Sequence, residues 1–268
     1  MLLSVFTPCY NRAYTLTRLF ESIKAQKFSD FEWIIVDDGS SDNTRELVES
    51  WIADDDLPFE IRYFYQENAG KHVAWNNGLS HAHGELFLPV DSDDHFVDGA
   101  FESVLKMWKS SKDNDQLIAF SGVGVFPGNK ETGGFLLTMD EPYKDYSSIT
   151  RRAEGIDGDL AEIFFTSRLR KYPFPVFEGE RFVTEAVIFN RFSMDGYLIR
   201  GFAYPIYVCE YLNDGYTKNV NHHLISNWKG YKLYVRELMG SNAPISSKFI
   251  PFCGFIYRLL LKTFRIVK

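Results

Sequence analysis

Glu85-Leu86-Phe87-Leu88-Pro89-Val90-Asp91-Ser92-Asp93-Asp94 carries an apolar run of strand length straight into three carboxylates within four positions. Like charges crowded at the mouth of a strand repel one another unless a cation sits among them. Alternating carboxylates there suit a hard divalent metal, Mn2+ or Mg2+, and such a metal suits the phosphates of a nucleotide. The stretch reads as a metal–diphosphate site. The spacing alone is not decisive, since Asp-x-Asp recurs at Asp54/Asp56, Asp113/Asp115 and Asp157/Asp159. The first two of these lie in polar stretches and read as solvated turns. Asp157/Asp159 precedes Leu160–Phe165 and reads as the acidic start of a helix running to about Arg170. Only Asp91/Asp93 follows a strand of buried type.

On the N-terminal side, Leu2–Thr7, Phe31–Val36, Ile61–Tyr65 and Glu85–Val90 read as strands. Between them, Thr15–Gln26, Asp42–Ala53 (with Ser41 as its N-cap) and Val73–Ala82 read as helices. Strand–helix alternation with short connections predicts an α/β fold with a mostly parallel central sheet. Polar clusters follow strands one, two and four, on the C-terminal edge where open α/β sheets bind ligands.

Bulk properties narrow the function. A chain of 268 residues, 45% apolar and 24% charged, can bury a substantial core. Its 24 Phe, 15 Tyr and 5 Trp suit core packing, and some suit flat ligands or sugar faces. A net charge of −7 argues against a nucleic-acid partner. Cys9, Cys209 and Cys253 form neither a disulfide framework nor a metal pattern, which points to a reducing compartment. The N-terminus has no basic leader, and no apolar run is long enough to span a membrane, so neither a signal peptide nor a spanning helix is expected.

Thr7-Pro8-Cys9-Tyr10-Asn11-Arg12, Val36-Asp37-Asp38-Gly39-Ser40-Ser41-Asp42, Asn68-Ala69-Gly70-Lys71, Ala74-Trp75-Asn76-Asn77-Gly78 and Asp91-Ser92-Asp93-Asp94 stand in an order that resembles the inverting glycosyltransferases of family 2. The resemblance covers residues 1 to about 105 and implies the GT-A nucleotide-sugar-binding fold. Beyond that it is loose, and closest to members that build bacterial surface polysaccharides. It implies that Pro8 and Tyr10 line the base and ribose of a nucleotide, UDP favoured, and that Asp38 reads the base edge. Arg12 and Lys71 become candidates for neutralising diphosphate, though each also reads as an ordinary surface cation. Asn76 and Asn77 would reach nucleotide or sugar. Asp91 would meet ribose or metal-bound water, Asp93 the metal itself, and Asp94 sugar hydroxyls or its own loop. Relatives often carry a basic residue where Trp75 stands, which shifts charge neutralisation onto Lys71 and the metal.

An inverting transfer needs a general base. Relatives place a Glu-Asp pair where this chain has Glu185-Ala186. Glu185, opening a helix-like apolar run, is therefore the expected base, with Glu180 in reserve. Two other activities stay open: nucleotidyl transfer, which would want a Gly-rich basic loop after the first strand, and nucleotide-sugar binding without catalysis.

Residues 1–215 are expected to form the catalytic domain, 1–105 holding the donor and 106–215 the acceptor, with 216–268 a helical extension. Within it, Phe120–Thr150 reads as a loop-rich acceptor flank. Arg151-Arg152 would meet an acceptor phosphate or stand as a solvated pair, and His222-His223 could offer a ligand from a closing loop. From Lys248 to Lys268 the chain has five basic residues and no acidic ones, with Arg258, Lys262 and Arg265 on one helical face. That pattern reads as an amphipathic helix, docked on anionic lipid or packed on its own domain or a partner. The expected setting is the cytoplasmic face of the cell membrane, with a glycan or polyprenyl-linked acceptor.

Overall fold

A computed structural model describes residues 1–127, 130–131, 136, 140–210, 220–241 and 243–263. In chain order its elements are β1 (Leu3–Cys9), α1 (Ala13–Lys24), β2 (Phe31–Asp37), α2 (Thr44–Ile52), β3 (Glu60–Tyr65), α3 (Lys71–His81), β4 (Leu86–Pro89), β5 (His95–Phe96) and α4 (Ala100–Ser111). Next come β6 (Leu117–Phe126), β7 (Lys130–Glu131), β8 (Lys144–Tyr146), β9 (Leu160–Phe165), α5 (Thr166–Leu169), α6 (Ala186–Met194) and β10 (Leu198–Val208). Three helices follow, α7 (Val220–Ser226), α8 (Trp228–Gly240) and α9 (Ile245–Thr263).

The strands form one sheet in the order β3-β2-β1-β4-β9-β6-β10-β5. β1 pairs in parallel with both β2 and β4, and β2 with β3. Successive residues of β1 and β2 serve opposite faces. Leu3, Val5, Trp33 and Ile35 join the core under α1, α2 and α4, whereas Phe6, Ile34 and Val36 join the core with Ala74, Trp75 and Leu79 of α3 and Val187 and Ile188 of α6. Helices on both faces leave the strands no polar side, which is why they read as continuous apolar runs. Because β1, β2 and β4 run the same way, their C-terminal ends fall on one edge.

The second half departs from the expected parallel pattern. β9 is antiparallel to both β4 and β6 and lies between them. The segment expected as a helix from Asp157 is thus a strand followed by the short α5. All but one of the β9 residues are buried, and a short apolar run buried on both faces has no periodicity to separate strand from helix. β6 likewise replaces the start of the expected loop-rich flank. α2 begins at Thr44, not Asp42, with Asn43 at its N-cap; Asp42 stands one residue ahead, and its Oδ1 accepts from Thr44 N at 3.1 Å and Thr44 Oγ1 at 2.6 Å. Ser41, expected as the cap, instead donates its N–H to Asn11 Oδ1. The expected boundary at 215 and residue Arg265 lie outside the described residues.

Candidate active site

Two loops at the sheet edge are stitched through Asn11, which takes a left-handed φ of 53°. Its Oδ1 accepts from Ser41 N at 2.8 Å and Asp42 N at 3.3 Å, and its own N–H donates to Ser40 Oγ at 2.8 Å. Asp37 closes the second loop, accepting from Ser40 N at 2.7 Å and from Tyr63 Oη at 2.6 Å. Pro8 ends β1 at this edge, and Tyr10 stands exposed beside it.

Asp38 is buried, and its carboxylate braces the loop before α3. Oδ1 accepts from Gln66 Nε2 and Ala69 N, and Oδ2 from Gly70 N, all at 2.8 Å. A carboxylate offers about four lone-pair positions, so any contact with a base edge rests on the one left at Oδ2. Burial raises its pKa, against the three hydrogen bonds.

Gly70 caps α3 at φ 99°, ψ 156°. A Cβ there would stand 1.9 Å from the carbonyl oxygen of Arg181, so only glycine lets the loop before α6 settle on the start of α3. That packing sets up the central contact. Lys71 Nζ lies 2.7 Å from Asp91 Oδ1 and 3.0 Å from Glu185 Oε1. Glu185 immediately precedes α6, as expected. Burial opposes the charge on Lys71, but the two carboxylates prevail and raise its pKa. Neighbouring His72 is kept neutral by burial, its pKa lowered to about 4, so it adds no positive charge beside Lys71.

Asp93 and Asp94 follow Asp91 along a half-buried rim. Burial first, and then the Asp91 charge, raise both pKa values. Arg12 and Lys71 partly offset this at Asp93. Asp94 Oδ1 accepts from Glu210 N at 3.0 Å, so this carboxylate orients its own loop against the end of β10. Among the described residues no three His, Cys, Asp or Glu side chains converge as a closed metal cage. Asp91 and Asp93 nonetheless fit Mn2+ or Mg2+, which takes one or two carboxylates and completes its shell with phosphate oxygens and water. A cation there would offset the carboxyl groups crowded at Asp93.

Several expected site residues do other work. Asn76 makes a paired contact with the Phe174 backbone, Nδ2 donating to its O and Oδ1 accepting from its N, both at 2.9 Å. Asn77 Nδ2 donates to Gln66 Oε1 at 2.9 Å, supporting the Asp38 brace. Asn76 is thus held to the Phe174 backbone through both amide atoms, and Asn77 to Gln66 through Nδ2. Glu180, expected in reserve as the base, caps α8, accepting from Lys229 N at 2.6 Å and Gly230 N at 2.9 Å. His222 and His223 lie within α7, where the His223 ring packs on Phe182. Arg151, expected to meet an acceptor phosphate or stand in a solvated pair, donates to Gly158 O at 2.9 Å and pairs with Glu162 at 3.5 Å.

Two residues escaped the sequence reading. Arg18 on α1 donates to Asp93 O at 2.6 Å and pairs with Glu210 at 2.5 Å, pinning the carboxylate loop. Glu162 on β9 is pushed up to about 7 by burial, with Arg151 opposing and Glu185 adding to the shift. Arg18 looks like any exposed helix cation, and Glu162 was hidden by the misread strand.

The family model for Glycosyl transferase family 2 matches residues 4–165. The chain belongs to this family. Among family 2 proteins, the GalNAc(5)-diNAcBac-PP-undecaprenol beta-1,3-glucosyltransferase of Campylobacter jejuni is 39% identical over 106 residues, 39% of this chain and 33% of that one. Glycosyltransferase GlyG of Streptococcus pneumoniae is 36% identical over 118 residues, 44% of this chain and 38% of that one. These matches thus span less than two fifths of either relative. Solved structures extend the likeness to the whole fold. S. aureus TarS 1-349 in complex with UDP-GlcNAc aligns with a TM-score of 0.66 at 19% identity, over 96% of this chain and 72% of that one. Mannosyltransferase PcManGT from Pyrobaculum calidifontis in complex with GDP-Man and Mn2+ aligns with a TM-score of 0.61 at 20% identity, over 97% and 70%. The GT-A architecture expected of a family 2 glycosyltransferase is therefore the architecture observed.

Proposed function

We propose that the chain transfers a sugar, with inversion, from a nucleoside-diphosphate sugar to a glycan or lipid-linked hydroxyl, with UDP as the favoured carrier. One observation carries this reading: Lys71, Asp91 and Glu185 converge within 3.0 Å on the edge where β1, β2 and β4 end. A diphosphate arriving there competes with Asp91 and Glu185 for Lys71. Drawn to phosphate, Lys71 releases Glu185, whose carboxylate then accepts the acceptor hydroxyl proton. The hydroxyl oxygen forms its bond to the anomeric carbon as the bond from that carbon to the diphosphate oxygen breaks. The electron pair leaves with the nucleoside diphosphate. A bound Mn2+ or Mg2+ would stabilise that departing charge from Asp91 and Asp93. Arg12 and Lys71 would share the neutralisation, and Tyr10 and Pro8 would flank the nucleotide.

The diphosphate-linked undecaprenol in the name of the Campylobacter relative supports a polyprenyl-linked acceptor in bacterial surface-glycan synthesis, reached at the cytosolic face of a membrane. Among the described residues no helix is long and apolar enough to cross one. Nucleotide binding is tested by thermal shift with UDP, GDP and their sugars, with and without Mn2+, on wild type and Asp93→Ala. Metal-dependent stabilisation by one carrier, lost in Asp93→Ala, is the expected result; no stabilisation by any carrier sinks the reading. Glu185→Gln should then lose at least a hundredfold in transfer, in line with the worth of a general base, while binding the donor as before. Unchanged transfer would move the base elsewhere, and a wild type that binds donor but never transfers it would favour the binding-protein alternative.

A further inference from the structure

The cations expected to face lipid on the last helix are turned inward. Arg258 donates to Asn221 Oδ1 at 2.7 Å and to Tyr231 Oη at 3.1 Å. Lys262 donates to Ile225 O at 3.1 Å and lies over the Trp228 ring. Lys248 donates to the carbonyls of Met239 and Ser241. These contacts bind α9 to α7 and α8 and leave its apolar residues outside. Ile245, Phe249, Ile250, Phe252, Ile256 and Leu260 are all exposed, Ile245 by 83%.

Beside them is a groove between α8 and α9 of about 490 Å³, floored by Phe177, Leu233 and Phe255 and rimmed by Lys229, Lys232 and Arg236. The three cations are exposed and spaced i, i+3 and i+7 on α8, hence on one face. No carboxylate lines the groove, and α9 contains no Asp or Glu, in a protein whose net charge is −7. Lys229 Nζ also donates to Glu178 O, whereas Lys232 and Arg236 have no ion pair among the described residues. Helical spacing sets Phe252 and Leu259 beside Phe255, with Ile256 and Phe249 on the next stripe. The apolar surface therefore runs unbroken from the groove floor round the outside of α9.

We propose that this face, with Lys229, Lys232 and Arg236 as its phosphate-binding rim and the outer stripe of α9 as its apolar insert, docks on the surface of an anionic phospholipid bilayer. It deepens the proposed function, on which it rests, by naming what holds the enzyme where a lipid-linked acceptor lies. Charge and apolarity together choose the occupant: a buried protein interface would leave three clustered cations needing carboxylate partners, whereas headgroup phosphates supply the counter-charge and the acyl boundary takes the side chains.

The test is sedimentation of the full chain with vesicles of phosphatidylglycerol and phosphatidylcholine in equal parts, and with phosphatidylcholine alone. Wild type should bind the anionic vesicles far better. Lys232→Ala/Arg236→Ala should weaken that binding roughly 30-fold, at about fivefold per cation near a charged surface. Phe249→Ser/Ile256→Ser should weaken it on both vesicle types, since neither residue touches the donor edge. UDP-induced thermal stabilisation measured on each sample keeps the two readings separate: loss of vesicle binding should leave it unchanged. Wild type remaining in the supernatant, or a double variant that binds anionic vesicles as wild type does, overturns the inference whether or not UDP binds. So does a concentration-dependent dimer abolished by Phe249→Ser/Ile256→Ser, which would give the face to a second copy of the chain.

Discussion

Gly70→Ala is the sharpest probe of how the site is assembled. Two separate costs are fixed by the structure. At φ 99° and ψ 156° the backbone lies in a region almost reserved for glycine, where another residue pays about 1 to 3 kcal/mol. The new methyl would also meet the Arg181 carbonyl oxygen at 1.9 Å, and backbone cannot yield as a side-chain tip can, so overpacking adds about 1 to 3 kcal/mol. Gly179→Ala is the matched control: its φ is 78°, but nothing stands within 4 Å of its Cβ, so only the first cost applies. Urea unfolding should therefore place Gly70→Ala about 1 to 3 kcal/mol below Gly179→Ala. Because Arg181 must retreat from the start of α3, Lys71 should also lose Glu185, and donor affinity should fall in Gly70→Ala alone. Equal destabilisation by the two substitutions, with donor affinity intact in both, would refute the argument that this contact seats the loop on α3.

Lys71→Met should barely change stability, because both its ion pairs are partly exposed and such pairs contribute about 0.2 to 1 kcal/mol each. Its effect on nucleoside-diphosphate affinity should be larger, roughly 10- to 100-fold by calorimetry, through loss of a charge-assisted contact. Glu162 gives a pH signature. Its folded pKa of about 7 lies above the ordinary 4.5, so the native state holds the proton more tightly than the unfolded chain. That contribution is fully present below about pH 4.5 and is lost as pH rises through 7, by roughly 3 kcal/mol on the linkage relation. Glu162→Gln should accordingly be more stable than wild type at pH 8 and match it near pH 4, as read from melting curves across that range; parallel curves would contradict the assignment.

The N-terminal part, β1 to β4, was legible because its information is local. In β1 to β4, apolar runs of strand length end in polar turns, and the helices between them show their spacing over single segments. Glu185 could be anticipated at the start of α6 for the same reason. β9 could not, because a strand inserted between β4 and β6 shows no alternation. The hydrogen-bond partners of Asn76, Asn77 and Glu180, at Phe174, Gln66 and Lys229, follow from the fold and not from local spacing, so the sequence did not show them. Arg258 and Lys262 have the spacing of a lipid-facing stripe, yet Asn221, Tyr231 and Ile225 draw them inward. Spacing tells which side chains share a face, not which way the face turns.

The segment between Glu180 and Glu185 has a metric consequence. Glu180 is fastened to the first turn of α8, and Glu185 to Lys71. Five residues at full extension cover at most roughly 18 Å. The tether acts as a caliper between the helical end of the molecule and the carboxylate proposed as the base. On the proposed function, an acceptor gripped at α8 would present its hydroxyl to Glu185 only across a distance that this span bounds.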